Sequence, residues 1–215
     1  VALFWGGTVI ATRVAAQTFG PFTGASLRYI VACLLFIPLA LVINKKAWRI
    51  SGRQWLNFTL LGFSGIFLYN FFFFKGLKLV PASHGGLLLA LNPSMVLISS
   101  AIIFREKITR QKMTGVLLSL AGVILVISRG NLVELFSGFQ LGDAYMLGCP
   151  VAWTIYTLTI RSALHKTTPI EVSAWASFTG LIMLLLFTVS EPFPDQVPTG
   201  AWTSILYLGT LGTVL

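Results

Sequence analysis

Residues 55–105, WLNFTLLGFSGIFLYNFFFFKGLKLVPASHGGLLLALNPSMVLISSAIIFR, decide the fold, because they hold two apolar segments separated by the polar turn Lys75-Gly-Leu-Lys-Leu-Val-Pro81. Each segment is about 20 residues long, which at about 1.5 Å per residue matches the hydrocarbon thickness of a bilayer. The second segment carries His84, Asn92 and Pro93 within otherwise lipid-like sequence. This stretch therefore predicts two membrane-spanning helices, the second with polar groups inside the bilayer.

The composition of the whole chain extends this prediction. Hydrophobic residues make up 56% of it and charged residues 10%, whereas a soluble domain is about a quarter charged. We therefore expect a polytopic membrane protein surrounded by the lipid bilayer. The net charge is +9, but the bases are scattered over short loops, so they are expected to set orientation rather than to bind nucleic acid. Cys33 and Cys149 lie within apolar segments and predict no disulfide or metal framework.

Eight crossings are predicted, at residues 1–19, 22–43, 55–74, 82–104, 113–128, 141–160, 170–190 and 202–215. Ten basic residues fall in the gaps after the second, fourth and sixth crossings, namely Lys45, Lys46, Arg49, Arg53, Arg105, Lys107, Arg110, Lys112, Arg161 and Lys166. The positive-inside rule makes that side cytoplasmic, so the N-terminus is expected in the cytoplasm. Because both ends of the sequence fall inside apolar runs and no signal peptide precedes Val1, we expect a shortened form of a longer chain.

An internal repeat is visible at nearly constant spacing. Three residues recur at an offset of 148, Trp5, Arg13 and Pro21 as Trp153, Arg161 and Pro169, and four recur at an offset of 147, Trp55, Leu61, Gly62 and Gly65 as Trp202, Leu208, Gly209 and Gly212. The repeat unit holds five crossings, an odd number, so the second copy must enter the membrane from the opposite side. The expected organisation is a first repeat at 1–129 (helices 1–5), a linker at 130–140 and a shortened second repeat at 141–215 (helices 6–8). An intact protein is expected to have ten helices, with a binding site near the bilayer midplane between the repeats.

Candidates for substrate binding are the polar and aromatic residues that interrupt the apolar segments. They are Trp5, Arg28, Tyr69, His84, Asn92, Trp153, Tyr156 and Trp175. For Arg28 two readings are open: the side chain extends to the membrane surface, or it faces a cavity and binds a carboxylate or phosphate. For His84 the alternatives are an interfacial hydrogen bond between helices and a ligand of the substrate.

Asn92 precedes a proline in the middle of the fourth crossing. Pro93 removes a backbone donor and leaves a carbonyl near residue 89 without its partner, so a kink is expected there. Irregular backbone at that depth is tolerated where it is buried in protein or lines a cavity. The tryptophans and tyrosines among the candidates either line such a cavity, which would suit apolar or aromatic solutes, or pack between helices.

Acidic residues are absent from the interior of the predicted crossings. The six acids, Glu106, Glu134, Asp143, Glu171, Glu191 and Asp195, fall in loops or at crossing ends. Cation coupling through a buried acid and intramembrane aspartyl proteolysis are therefore not predicted, and no catalytic residue, metal ligand set or cofactor motif is recognised. The inverted repeat favours a transporter that works by alternating access. The alternative to transport is a membrane-integral enzyme acting on lipid or a lipid-linked substrate, which would need a polar cluster near one interface. A structural subunit would need no cavity.

Several short motifs occur in a characteristic order: Phe4-Trp-Gly-Gly7, Pro21 with Leu27-Arg28-Tyr29, Ala82-Ser83 with Asn92-Pro93, Glu106-Lys-Ile-Thr109 with Gly115, Gly142-Asp143, Ala152-Trp153 and Trp202 to Gly212. In this order and spacing the chain resembles the EamA-like branch of the drug/metabolite transporter superfamily along its whole length. One departure is Arg105, where that family usually has glycine. The resemblance implies two inverted five-helix repeats and alternating-access movement of small organic metabolites, often export of amino acids or similar compounds. It also implies a bacterial or archaeal cytoplasmic membrane, and it indicates neither a coupling ion nor an oligomeric state.

Overall fold

The computed structural model describes residues 2–44, 50–128, 139–164 and 167–213. Within these ranges the chain forms eight helices and no β-strand. The helices are α1 (Ala2–Thr18), α2 (Pro21–Ile43), α3 (Gly52–Leu79), α4 (Ala82–Phe104), α5 (Arg110–Ile127), α6 (Leu141–Ala163), α7 (Pro169–Thr188) and α8 (Thr199–Gly209). Four of them, α2, α3, α4 and α7, are long and apolar enough to cross a membrane. The prediction of an all-α polytopic membrane protein is confirmed.

Helix ends differ from the predicted ones in a few places. α3 continues to Leu79, so Lys75 and Lys78 belong to its last turns rather than to a separate loop. α5 begins three residues earlier than expected, at Arg110, and α8 ends at Gly209, after which the chain turns. The predicted linker at 130–140 lies almost entirely outside the described residues, as do Lys45, Lys46, Arg49, Glu134 and Lys166.

Helix starts follow local signals in the sequence. At α3, the Ser51 hydroxyl accepts the Gln54 backbone N–H at 3.4 Å while the Gln54 side chain accepts the Ser51 N–H at 2.8 Å. At α7, Thr168 and Glu171 form the same reciprocal capping box, and Pro169 occupies the first helical position. Such boxes satisfy backbone donors that have no partner within the helix. They fix where α3 and α7 enter the bundle.

Two helices are irregular near the centre of the bundle. In α3, residues Gly62–Leu68 form a π-helical segment, a local widening that often occurs at functional sites. In α4, the regular helix stops at Leu89 and resumes at Asn92. Because Pro93 has no N–H, the backbone hydrogen bonds of the helix cannot continue through this point. The interruption that Asn92-Pro93 predicted as a kink is confirmed.

Helix contacts are arranged in symmetric pairs. α2 packs along α7, α1 packs against α8, and α3 packs against α6. Exchanging α1 with α6, α2 with α7 and α3 with α8 turns this set of pairs into itself. The exchange is the one that the offsets of 147 and 148 specify, so the described helix contacts have the pattern of a pseudo-two-fold axis.

Glycines at equivalent repeat positions make equivalent contacts. A methyl group on Gly62 of α3 would lie 2.9 Å from the Ala176 carbonyl of α7, and one on Gly209 of α8 would lie 2.8 Å from the Arg28 carbonyl of α2. Gly209 follows Gly62 by 147 residues, and Ala176 follows Arg28 by 148. Because only glycine lets the backbones approach so closely, these two positions place α3 on α7 and α8 on α2 in the same way.

Gly62→Ala is therefore expected to lower the free energy of unfolding by about 2 kcal/mol, because the added methyl forces α3 away from the α7 backbone. Gly115→Ala in α5 is the matched control, since its methyl would meet nothing within 4 Å among the described residues and alanine favours a helix by up to about 1 kcal/mol. Thermal unfolding of the two variants in detergent measures the difference. Equal melting temperatures would contradict a close α3–α7 contact.

Candidate functional site

A cavity of about 870 Å³ lies inside the bundle. Its wall is formed by side chains of α1, α2, α3, α4, α6 and α7, together with the turn after α8. Both irregular segments contribute to it: Gly65 and Ile66 from the π-helical part of α3, and Ala90, Asn92 and Pro93 from the break in α4. Small organic ligands bind in cavities of about 300–1,000 Å³, so the space has the size of a metabolite site.

Six of the eight predicted site residues line this cavity. They are Trp5, Arg28, Tyr69, Asn92, Trp153 and Tyr156. The other two, His84 and Trp175, are absent from its wall. The cavity therefore brings together residues from both repeats that are far apart in the sequence.

Trp153 is the centre of an aromatic cluster in the wall. Its ring stacks on Tyr156 with centroids 5.2 Å apart, meets Trp5 edge-on at 6.3 Å and lies 5.7 Å from Tyr69. Trp5 and Trp153 are repeat equivalents, so the edge-on pair joins the two repeats. Gly65 leaves room for the Tyr156 ring, which a methyl group at that position would overlap. The cluster offers ring faces and edges suited to apolar or aromatic groups.

Arg28 extends into the bundle rather than towards the membrane surface. The residue is 7% exposed. Its Nε donates to the Thr213 hydroxyl at 2.9 Å, NH1 donates to Asn70 Oδ1 at 3.2 Å, and NH2 lies 3.4 Å from the Gly212 carbonyl. The guanidinium carbon also lies 5.4 Å from the centre of the Tyr29 ring. All these partners are neutral, so nothing among them balances the positive charge.

Asn70 is a site residue that the sequence reading missed. It is fully buried, and its amide donates to the Ile66 carbonyl at 2.7 Å and to the Tyr29 hydroxyl at 3.4 Å. The side-chain oxygen of Asn70, Oδ1, accepts a hydrogen bond from Arg28, so Asn70 holds the guanidinium against α3. The available signal was an amide side chain inside an apolar crossing, the same signal that drew attention to Asn92.

His84 lies outside the cavity, where its ring is hydrogen-bonded to Asp143. Its Nε2 is 2.6 Å from the Asp143 carboxylate, and the two side chains are 20% and 2% exposed. Asp143 also accepts the Gln140 backbone N–H at 2.9 Å. The pair joins the first turn of α4 to the first turn of α6. Asp143 lies at the end of a predicted crossing and is nevertheless buried, because α4 packs against α6.

Trp175 lies in a separate apolar cluster between α3 and α7. Its ring meets Trp55 edge-on at 5.7 Å and Phe178 at 5.8 Å. The surrounding buried residues are Phe58, Leu61, Ala163, Val172 and Ala176. These contacts support helix packing, the alternative left open for the aromatic candidates.

Comparison with known proteins identifies the family. A family model described as the EamA-like transporter family matches residues 1–128 and 140–215. An uncharacterized transporter of Archaeoglobus fulgidus is 30% identical over 215 residues, covering 99% of this chain and 73% of the relative. The uncharacterized transporter YyaM of Bacillus subtilis is 27% identical and covers 100% and 72%. The aromatic amino acid exporter YddG of Ancylobacter novellus is 25% identical, over 96% of this chain and 71% of that protein.

A solved crystal structure shares the fold. It covers 96% of this chain and 72% of its own, with a TM-score of 0.64 at 22% sequence identity. At that identity the likeness concerns the helix arrangement alone. The family model, by contrast, matches nearly the whole sequence. The chain is thus an integral membrane protein that belongs to the EamA-like transporter family, within the drug/metabolite transporter superfamily.

Proposed function

We propose that the protein is a secondary transporter that exports small organic metabolites, amino acids or related compounds, by alternating access through the central cavity. The observation that carries this proposal is the 870 Å³ cavity between the two sets of helices. Its wall combines an aromatic cluster with one guanidinium. The name of the Ancylobacter relative, an aromatic amino acid exporter, supports solutes of this size. Such a carrier needs neither catalytic residues nor a cofactor.

The proposed binding site consists of the cavity-lining residues already described. Arg28 would bind an acidic group of the solute, and Trp5, Tyr69, Trp153 and Tyr156 would contact its apolar part. Asn92 would contribute a polar edge beside the break in α4. His84 and Trp175, which lie elsewhere, are not included.

Alternating access would use the pseudo-two-fold arrangement. We keep residues 1–129 and 141–215 as the two repeats and 130–140 as their linker. The start of α6 is joined to α4 by Asp143 with His84 at 2.6 Å, and the end of α6 is joined to the loop just after α4 by Arg161 with Glu106 at 3.1 Å. The break in α4 lies between these two contacts, so in the proposed motion one half of α4 would move while the other stays fixed. Rocking of one repeat against the other around a fixed central site is the expected motion.

The orientation of the protein in the membrane is inferred from the distribution of its basic residues. We propose a cytoplasmic N-terminus in a bacterial or archaeal cytoplasmic membrane, because most of the described bases near helix ends lie in the loop after α4, in the first turn of α5 and at the end of α6. They are Arg105, Lys107, Arg110, Lys112 and Arg161. Export then means that solute enters the cavity from this basic side.

Solute exchange in proteoliposomes tests the carrier function. The full chain is reconstituted with each of a panel of amino acids and related metabolites inside the vesicles, and uptake of the same labelled solute is followed. Carrier function predicts counterflow above that of protein-free liposomes for at least one solute class. A folded, correctly inserted protein that exchanges none of them would overturn the proposal.

Trp153→Ala is expected to weaken binding of the exchanged solute at least about tenfold, because three ring contacts of the wall disappear together. Trp175→Ala is the matched control: it removes the same side chain from the α3–α7 cluster, so it should lower stability and leave solute affinity nearly unchanged. Equilibrium binding to both purified variants measures this contrast. Equal losses of affinity would argue against a binding role for the aromatic wall.

A further inference from the structure

The cavity has an unusual charge balance. Among its described lining residues, Arg28 is the one that carries a formal charge. Its hydrogen-bond acceptors are a hydroxyl, an amide and a backbone carbonyl, from Thr213, Asn70 and Gly212. The wall described here therefore has a net charge of one positive unit that no carboxylate offsets.

The guanidinium also has donors to spare. A guanidinium carries five N–H groups, one on Nε and two on each terminal nitrogen. Arg28 uses one on Nε, one on NH1 and one on NH2. One N–H therefore remains on each terminal nitrogen without a partner among the described residues. Two such donors match the two oxygens of a carboxylate.

Carboxylates elsewhere in the described chain are bonded to other groups or exposed. Those near helix ends are paired as follows: Asp143 with His84, Glu171 with Asn44, Glu191 with Thr23 and Glu106 with Arg161. Asp195 is exposed in the loop before α8. An ammonium group on a bound solute would therefore find ring faces and neutral oxygens in the described wall, and no anionic partner.

We propose that the site selects monoanionic carboxylates with an aromatic or apolar ring over zwitterions and cations of the same shape, and that Asn70 sets this selectivity. The inference rests on the proposed carrier function and narrows its substrate class from amino acids and related compounds to those related compounds that are monoanions. A monoanion brings the net charge of the described wall and solute to zero. A zwitterion leaves it at one positive unit and a cation raises it to two. Net charge in a site of low dielectric constant is costly, so the monoanion is favoured.

Asn70 is the residue that keeps Arg28 available. Its Oδ1 accepts from NH1 without contributing charge, and its amide is held by Ile66 and Tyr29. Aspartate has nearly the same shape and would place a carboxylate on the guanidinium. An internal ion pair of that kind would neutralise the site and compete with an anionic solute for Arg28.

The test uses three probes that share one skeleton: 3-phenylpropionate, phenylalanine and phenethylamine. At pH 7 they are an anion, a zwitterion and a cation. Binding is measured by calorimetry with the full chain in nanodiscs, so passive crossing of the bilayer does not interfere. We expect 3-phenylpropionate to bind at least about tenfold more tightly than phenylalanine, with phenethylamine weakest.

Variants that add a carboxylate to the site then test whether its charge determines the preference for the anion. Asn70→Asp is expected to weaken 3-phenylpropionate binding at least about tenfold and to remove the preference over phenylalanine. Ser173→Asp adds a carboxylate at another, half-buried position of the cavity wall and leaves the Asn70 bonds intact, so it keeps the test informative if Asn70→Asp does not fold. Ser173→Asn is the uncharged control and should retain the wild-type ratio.

The outcomes separate this inference from carrier function itself. Equal or tighter binding of phenylalanine, or a ratio unchanged in both aspartate variants, overturns the monoanion proposal while leaving a carrier of other solutes. Failure of the wild-type protein to bind these probes, together with failure to exchange the metabolite panel, overturns both proposals. Preference for the anion that both aspartates abolish supports the inference.

Discussion

Arg28→Ala is expected to reduce exchange of an anionic solute in proteoliposomes by at least about a hundredfold. Two charge-assisted hydrogen bonds between the guanidinium and the solute would be lost, each worth about 1.5–3 kcal/mol, and about 1.4 kcal/mol corresponds to a tenfold change in affinity. The guanidinium is 7% exposed and bonded to Asn70 and Thr213. Alanine also leaves Asn70 Oδ1 without that donor, so the melting temperature should fall moderately.

Arg161→Ala is the control for this variant. Arg161 is also basic, but its guanidinium pairs with Glu106 at the end of α6, where both side chains are about half exposed. Its removal should leave exchange close to that of the wild type, because exposed pairs contribute little. Unchanged transport in Arg28→Ala would mean that Arg28 has only a structural role, which is to connect α2 with α3 and with the turn after α8.

Much of the helix arrangement was available from the sequence, because it depends on local patterns. The apolar runs predicted eight helices, Pro93 predicted the break in α4, and the recurrence of Trp5 as Trp153 predicted that the two are repeat equivalents. Their edge-on contact was not predicted. The π-helical segment at Gly62–Leu68 was not predicted. Its apolar sequence is compatible with an ordinary helix.

Side-chain roles were harder to predict because they depend on which helices meet. Six candidates reached the cavity, since polar or aromatic residues inside crossings tend to face protein. His84 and Asn70 show why the other side-chain roles could not be predicted from the sequence. His84 lies in the first turn of α4, one turn from cavity-lining residues, and whether it faces the cavity or Asp143 depends on where α6 begins. The role of Asn70 depends on its hydrogen bond with Arg28, which lies 42 residues earlier in the chain.

The two repeats agree in backbone contacts and differ in chemistry. Gly62 against Ala176 and Gly209 against Arg28 are the same contact made twice. The side chain at the shared position is a methyl group in one repeat and a guanidinium in the other. Helix geometry constrains small residues at the crossing points, whereas the residue facing the cavity is free to specialise. Arg28, the one charged residue in the described part of the cavity wall, is therefore a departure from the symmetry.

Asp143→Ala is expected to lower the free energy of unfolding by about 1–3 kcal/mol, the typical cost of leaving a buried hydrogen-bonding group without its partner. The carboxylate is 2% exposed, lies 2.6 Å from His84 Nε2 and accepts the Gln140 N–H at 2.9 Å. Alanine would leave His84 without its acceptor and the start of α6 without its cap, which alone is worth about 1 kcal/mol. Unfolding in detergent, followed by circular dichroism, measures the loss.

Comparison of the two contacts at the ends of α6 decides whether the His84–Asp143 pair stabilises the fold or serves the transport cycle. Glu106→Ala breaks the exposed tie at the other end of α6 and should leave the melting temperature nearly unchanged. Asp143→Asn keeps an acceptor for His84 and should lose less stability than Asp143→Ala. If Asp143→Ala instead melts like the wild type while exchange falls, the pair does not stabilise the fold. Its burial would then serve the transport cycle, with the first turn of α4 separating from α6 when the cavity opens at that end.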